Sequence, residues 1–365
     1  MLNDKLVAVV VPAYNEETQI GMVLDAMPAF VDRIIVVNDH STDKTAEAVL
    51  EKIASDKAKS ISIALPRKAM QRTKYNEADV LLHQALRREQ KLFTPYEIAN
   101  ENLENDRIIL INLEENSGVG AAIARGYKWC LDRGIDCTAV MAGDGQMDPA
   151  ELEKICAPVT QDGVDYVKGN RLIHRSAWLV VPRIRYAGNS ILSIFNKIAS
   201  GYWKISDTQC GYTAISLKAL HAIRIHQIYP SYGMPNDMLV KMNVAYCTIR
   251  EVEIKPVYRV GEKSKMNIIK VMPKIAWLLL RSFFKRLWVK YLFRDFHPLF
   301  LLYHYAIIAG LASLPYAWKV LRAGLFNYSL NFQTTLAFMF LSISAFQAIM
   351  FAMWMDIQDN ERLYK

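Results

Sequence analysis

Two long uncharged stretches near the carboxyl end restrict what this chain can fold into. Between Phe296 and Trp318 the only ionisable side chains besides tyrosine are His297 and His304, and from Ala323 to Met355 there is no charge. At about 1.5 Å of rise per residue, roughly 20 apolar residues carry a helix across a bilayer. Each stretch can supply them, and uncharged runs this long are uncommon in soluble domains. The sequence therefore predicts two membrane-spanning helices, about residues 299–321 and 333–355, forming an α-hairpin with a short tail.

The segment ahead of the hairpin is strongly basic. The formal net charge is +8, and residues 263–294 hold nine Lys or Arg and no acid. On a helical wheel Lys270, Lys274, Arg281 and Lys285 fall within about 60°. Arg286, Lys290 and Arg294 fall on another arc, so the spacing predicts two amphipathic segments. Set beside Trp277, Phe283, Phe284 and Trp288, these charges suit the headgroup layer of an anionic membrane. Nucleic acid, the competing partner for such charge, is set aside because apolar spans begin immediately afterwards. A basic region before a first span marks the cytoplasmic side. The preceding domain and the tail "DIQDNERLYK" are thus expected there. Five cysteines without a CxxC pair fit a reducing compartment.

Upstream, strands alternate with helices. "KLVAVVVPAYNEE" reads as a first strand (residues 6–11) rather than a targeting segment, and "NEETQIGMVLDAM" as a helix. "RIIVVND", "RIILINLE" and "TAVMAGD" are further strands. "STDKTAEAVLEKIA" and "NSGVGAAIARGYKWCLDRG" supply helices between them. The rhythm implies an α/β, Rossmann-like, mostly parallel sheet. Residues 56–106 interrupt it with a charged, partly helical insertion. Past residue 170 the pattern is irregular until "CTIREVEIKPVYR", which alternates like a strand.

Parallel sheets bind ligands at the carboxyl ends of their strands. Asn15, Asp39, Asn116 and Asp144 each follow a strand, so they should share one rim. In "MAGDGQMDP", Asp148 before Pro149 is a good cap for a helix from Glu151 to Cys156. That leaves Asp144 and Gln146, whose oxygens can meet on one hard cation. Mg2+ or Mn2+ accepts few protein ligands, completes its shell with phosphate oxygens and water, and so neutralises a diphosphate leaving group. Tyr14 and Glu16 lie at the first strand's end, and Asp39 and Asp43 at the second. A carboxylate at strand two commonly holds a ribose or base edge. The glycines of "NSGVG", Gly118 among them, leave a backbone that a ligand can approach closely. There is neither a P-loop nor a dinucleotide fingerprint.

In combination, "PAYNEE", "VVNDHSTDKT", "NSGVGAAIARG", "GDGQMDP", "KGNR", "DTQCGYTA" and "YRVGEKSK" resemble the family 2 glycosyltransferases of GT-A fold. The likeness is greatest to dolichol-phosphate mannose synthases and bacterial polyprenyl-phosphate glycosyltransferases, and it covers about residues 5–265. It implies a glycosyltransferase domain over 1–262, with basic interfacial helices over 263–295 and the hairpin over 296–365. It further implies that Pro12, Tyr14, Glu16 and Asp39 hold the nucleoside. Asp144 and Gln146 would bind the metal, and Arg259, Ser264 and Lys265 would close over the donor phosphates. The family usually reads Asp-x-Asp-Gly-Gln, whereas Ala142 stands at the first acid, which bears on the donor sugar.

A lipid phosphate should be received by basic residues near the membrane. "RLIHRSAWLVVPRIRYAGN" offers Arg171, Arg183 and Arg185 among apolar residues, and arginine forks match phosphate geometry. The expected reaction is inverting displacement at the anomeric carbon of a nucleotide-diphosphate sugar by a polyprenyl phosphate oxygen. A phosphate monoester, largely ionised near neutral pH, needs no strong base. Asp207 is expected either to orient acceptor or sugar, as a catalytic residue, or to cap its loop. A processive polysaccharide synthase would add a QxxRW motif and further spans, and neither is found. A catalytically idle scaffold is the other alternative, and a homo-oligomer is left open.

Overall fold

A computed structural model describes residues 1–56, 61–63, 72–257, 268–326 and 329–365. Its centre is β1 (Val7–Ala13), where all seven side chains are buried. An unbroken apolar strand of this kind suits the middle of a sheet covered on both faces. After α1 (Ile20–Asp25) comes β2 (Arg33–Asn38), and α2 (Thr45–Ser55) and α3 (Glu77–Glu89) precede the short β3 (Tyr96–Ile98). Next are β4 (Ile108–Leu113), α4 (Val119–Asp132), β5 (Cys137–Val140), α5 (Leu152–Thr160) and β6 (Tyr166–Asn170). Then follow α6 (Ala177–Val180), α7 (Arg183–Ser200), β7 (Thr213–Ser216), α8 (Leu217–Ala222), α9 (Met234–Val244) and β8 (Ile249–Glu253). The chain ends in α10 (Ile268–Trp288), α11 (Pro298–Phe326) and α12 (Phe332–Glu361).

The eight strands form one sheet in the order β3-β4-β2-β1-β5-β7-β6-β8. Neighbours from β4 through β5 are parallel, as is β6 with β8, while β3–β4, β5–β7 and β7–β6 are antiparallel. The expected parallel rhythm therefore holds from β4 through β5 and again between β6 and β8, with the antiparallel β7 set between them. Strand alternation divides the core in two. Ala8, Val10, Ile35, Val37, Ile109 and Ile111 meet α4, α8 and α9 on one face. Val7, Val9, Val11, Ile34, Val36 and Leu110 meet α1, α2 and α5 on the other.

In place of two amphipathic segments, α10 is one continuous helix, running into a π-helical turn at Val289–Arg294. It packs Ile275 and Leu279 against Leu192 and Ala199 of α7. Arg286 and Lys290, expected at the headgroups, are fully buried instead. Helices α11 and α12, of 29 and 30 residues, form the expected hairpin, and both are long and apolar enough to cross a membrane. Leu311, Leu314, Phe340, Phe346 and Phe351 stay exposed along it, which suits a lipid surround rather than water. The tail does not hang free. Ile249 donates its N–H to the Leu363 carbonyl at 2.7 Å, and Lys365 donates back to the Ile249 carbonyl at 3.2 Å, so the last residues line the edge of β8.

Candidate active site

Backbone bonds at the carboxyl ends of the central strands draw the acid-bearing turns together. Asp39 donates its N–H to the Ala13 carbonyl at 2.9 Å, and Gly143 donates to the Pro12 carbonyl at 3.3 Å. The end of β1 therefore lies between the turn carrying Asp39 and the turn carrying Asp144. Asn15 holds a left-handed φ of 54°, which Asn tolerates better than most residues, and its Oδ1 accepts the Thr42 N–H at 2.8 Å. Glu16 donates its N–H to Thr45 Oγ1 at 2.9 Å. Asn15, Asp39, Asn116 and Asp144 thus follow neighbouring strand ends on one rim, as the strand-end argument expects.

Asp39 is nearly buried, and its two carboxylate oxygens accept the Ser117 and Gly118 N–H groups at 2.7 and 2.8 Å. Burial pushes its pKa above the ordinary aspartate value, and the two backbone donors oppose that rise. The carboxylate therefore fixes the loop between β4 and α4 as well as facing the rim. Asp43 is structural, accepting from the N–H of Thr45 at 3.0 Å and of Glu17 at 3.2 Å and so organising the start of α2.

At Gly118 and Gly120 the side that a Cβ would take is filled by the chain itself. A Cβ at Gly118, whose φ is +91°, would lie 2.5 Å from the Pro230 carbonyl oxygen, and one at Gly120 would lie 2.0 Å from that of Tyr229. The Pro230 carbonyl instead accepts the Gly120 N–H at 2.8 Å. The close approach predicted from the glycines is real, but the visitor is the chain itself.

Asp144 sits in a tight turn whose Gly145 has φ of +73°, and its Oδ1 accepts the Gln146 N–H at 3.0 Å. Downstream, Asp148 caps the next turn as expected, accepting the Ala150 N–H at 2.9 Å ahead of a 3-10 turn and α5. Among the described residues no three His, Cys, Asp or Glu side chains gather as a metal cage. One carboxylate with one carboxamide, both half-buried, fits a hard cation that takes few protein ligands and completes its shell from a phosphorylated substrate and water.

Asp207 and Arg171 are placed otherwise than their sequence roles suggest. Asp207 is fully buried, and Arg171 grips it through Nε at 2.8 Å, Nη2 at 3.1 Å and its backbone N–H at 3.1 Å. Burial alone would raise the Asp207 pKa, but the Arg171 guanidinium and these bonds outweigh it and hold the carboxyl below its ordinary value. Asp207 has no surface to offer a substrate, and Arg171 has its fork committed to a carboxylate. Arg183 is exposed and lies over the Trp178 ring at 5.7 Å. The Arg185 side chain and the whole of Arg259, Ser264 and Lys265 lie outside the described residues.

Sequence reasoning missed α7, hidden in the stretch read as irregular. Its exposed Ile191, Ile194 and Phe195 continue an apolar surface from Trp178 and Leu179. Its inner face binds the loop that carries Asp207: Ser193 meets Thr208 across 3.1 Å, and Asn196 bonds to Asn236, which Gln209 also donates to at 2.7 Å. Glu251 holds the same loop by accepting the Ser206 and Asp207 N–H groups at 2.8 Å each. The one available signal was helical: Ile184, Ile191, Leu192, Phe195 and Ile198 recur at intervals of three, four and seven.

Carboxylates at the carboxyl ends of parallel strands, in a mixed sheet backed by helices on both faces, form the arrangement of a GT-A glycosyltransferase domain. The chain belongs to glycosyl transferase family 2, whose model matches residues 8–78 and 95–224, more than half of its length. It is 27% identical over 278 residues to a UDP-N-acetylglucosamine–dolichyl-phosphate N-acetylglucosaminyltransferase of Methanococcus voltae, covering 76% of this chain and 96% of that one. It is 28% identical over 165 residues to an undecaprenyl-phosphate mannosyltransferase of Micrococcus luteus, covering 45% and 67%. Among solved structures, glucosyl-3-phosphoglycerate synthase from Mycobacterium tuberculosis in complex with Mn2+ and UDP is similar at a TM-score of 0.46 and 14% identity, over 78% of this chain and 80% of that one.

Proposed function

We propose that this glycosyltransferase moves one sugar from a nucleotide-diphosphate sugar to a polyprenyl phosphate at the cytoplasmic face of a membrane, inverting the anomeric centre. One observation carries the reading: the segment 207–212 touches both sides, Tyr212 donating to the Asp148 carbonyl at 3.1 Å beside the Asp144 turn and Thr208 meeting Ser193 of α7, whose outer face is exposed and apolar. A donor rim and a membrane-facing surface thus share one wall. The two lipid-phosphate sugar transferases named above support the same acceptor class.

In this mechanism Pro12, Tyr14, Glu16 and Asp39 line the nucleoside side of the rim, and Gly118 seats the loop that Asp39 fixes. The family resemblance assigns the donor phosphates to Arg259, Ser264 and Lys265, which lie outside the described residues. Asp144 and Gln146 would hold Mg2+ or Mn2+, which would supply positive charge to neutralise a departing diphosphate. Arg183, exposed at the start of α7, receives the lipid phosphate, a role the sequence also assigns to Arg185. An ionised phosphate oxygen attacks the anomeric carbon as the nucleoside diphosphate leaves from the opposite face, and no side chain need take a proton. Rate comes from alignment and from charge placed at the leaving group. Asp207 acts at one remove, holding Arg171 and the loop behind the site.

The test is transfer by the full chain in vesicles, with a panel of nucleotide sugars, a polyprenyl phosphate, and Mn2+ present or chelated. The expected product is a polyprenyl-phosphate monosaccharide, lost on chelation and in Asp144→Ala. Chain extension into a polymer would refute the reading, as would full activity of Asp144→Ala.

A further inference from the structure

A buried polar cluster stands where the hairpin meets the catalytic domain, away from the rim, and nothing in the reaction uses it. At its centre Arg286 of α10 and Asp356 of α12 are both fully buried and joined twice, through Nη1 at 2.7 Å and Nη2 at 2.8 Å. The same guanidinium donates to the last carbonyls of α7, Ala199 through Nε and Ile198 through Nη2, each at 3.0 Å. Gly201, just past that helix, has φ of +77°, and a Cβ there would fall 2.5 Å from Arg286 Nη1.

Around this pair, Tyr291 donates to Asp356 at 2.9 Å and contacts Asp359 at 3.0 Å. Lys290 reaches Asn360 at 2.6 Å, Asp359 at 3.1 Å and Asn243 of α9 at 3.2 Å. Four helices therefore meet at one node. Beyond it the tail buries Leu363 and binds the edge of β8.

Stability does not explain such an investment. Removing two charges from water costs several kcal/mol per ion, and well-packed apolar residues usually do as well. The better-attested use of a buried ion pair is to fix one arrangement among several. Apolar helix packing allows several crossing angles, each with wide scatter, whereas a bidentate arginine fork selects one.

We propose that Arg286 and Asp356 are positioning residues that lock the membrane hairpin to α7 at one angle, and so set the height of the acceptor site over the bilayer. The inference rests on the polyprenyl-phosphate reading above. From Ala199 back to Arg183 is about 24 Å along α7, so a 10° swing about the node moves Arg183 by about 4 Å. Misplacement of about 1 Å can cost about 10²-fold in rate.

The experiment compares two acceptors with the full-length protein in vesicles: a long polyprenyl phosphate held in the bilayer, and a short, water-soluble prenyl phosphate. In Arg286→Ala/Asp356→Ala neither charge is left alone. The expected result is a fall of about 10²-fold in kcat/KM for the bilayer acceptor, with the soluble acceptor changed less than about threefold. Asp356→Asn, which keeps the shape, should show a smaller loss of the same selective kind. Spin labels at the exposed Ile194 and Leu311 should give one narrow distance in the wild type and a broad distribution in the double variant.

Equal loss with both acceptors, or none with either, would overturn the proposal, as would an unchanged spin-label distance. Should the double variant fail to fold, Asp356→Asn and its distance distribution decide alone. A wild type that charges neither acceptor would instead remove the functional reading, and this inference with it.

Discussion

Arg171→Ala separates two roles that the sequence alone could not. If Arg171 receives the acceptor phosphate, its loss raises the acceptor KM and leaves stability untouched. The structure gives it a different burden. Asp207 is fully buried while the Arg171 side chain keeps 23% of its surface exposed, so truncation strands a carboxylate in the interior. Breaking a buried pair from one side costs about 3–5 kcal/mol, and the partly exposed guanidinium places this case near the lower end, about 3 kcal/mol. For a domain of this size that is a fall of about 6–12 °C in Tm. Differential scanning calorimetry in detergent measures it. Arg183→Ala, at an exposed position, should move Tm by less than about 2 °C and raise the acceptor KM. The double variant Arg171→Ala/Asp207→Asn should recover part of the lost stability, because the stranded carboxylate is gone, while the fully buried Lys168 loses the nearby Asp207 charge. An Arg171→Ala protein with an unchanged Tm and a raised acceptor KM would refute this account and return Arg171 to the phosphate site.

The same pair has a pH signature. The folded pKa of Asp207 lies below its unfolded value, so its stabilisation is present above the unfolded value of about 3.9 and is lost as pH falls through the lower, folded one. The Tm advantage of wild type over Asp207→Asn should therefore be constant above about pH 5 and shrink below about pH 4. Gly120→Ala should destabilise by about 2–4 kcal/mol, because its Cβ would meet the Tyr229 carbonyl at 2.0 Å and break the bond to Pro230. Helix propensity alone predicts a gain of about 1 kcal/mol, so urea denaturation reads the sign directly. Asp39→Asn sets an amide nitrogen against a backbone N–H that now has a carboxylate oxygen. Losing one such bond, about 1.5–3 kcal/mol, should weaken nucleotide binding about 10- to 10²-fold by titration calorimetry.

What the sequence makes legible follows from how local each signal is. The strand β1, the Asp148 cap and the rim positions of Asp39 and Asp144 all rest on contacts within a few residues or on strand-end logic. Each stands where that logic puts it. The two apolar helices are equally plain, since a bilayer demands length and composition rather than particular partners. Arg171, Asp207 and the loop glycines show the opposite case. An arginine near a membrane segment reads as a phosphate receptor until a carboxylate 36 positions away claims its fork. A glycine pair reads as room for a ligand until residues 229–230 occupy the space. Their meanings are set by pairings distant in the chain, and one sequence without relatives carries no record of those pairings.

Arg286 and Asp356 sharpen the point, because the helical wheel separates Arg286 from Arg281 by arc but does not say which arc is buried. The difference lies 70 residues on, where Asp356 is the first acid after the long uncharged run. Had that acid been read as a partner rather than as the start of a polar tail, the run's end would have needed a buried cation. Only a helix packed beside it, such as the one carrying Arg286, could supply one. A charge placed immediately at the end of an apolar helix is therefore worth testing against every unpaired base upstream. Here that rule narrows the search to the bases of residues 263–294, and the structure picks Arg286.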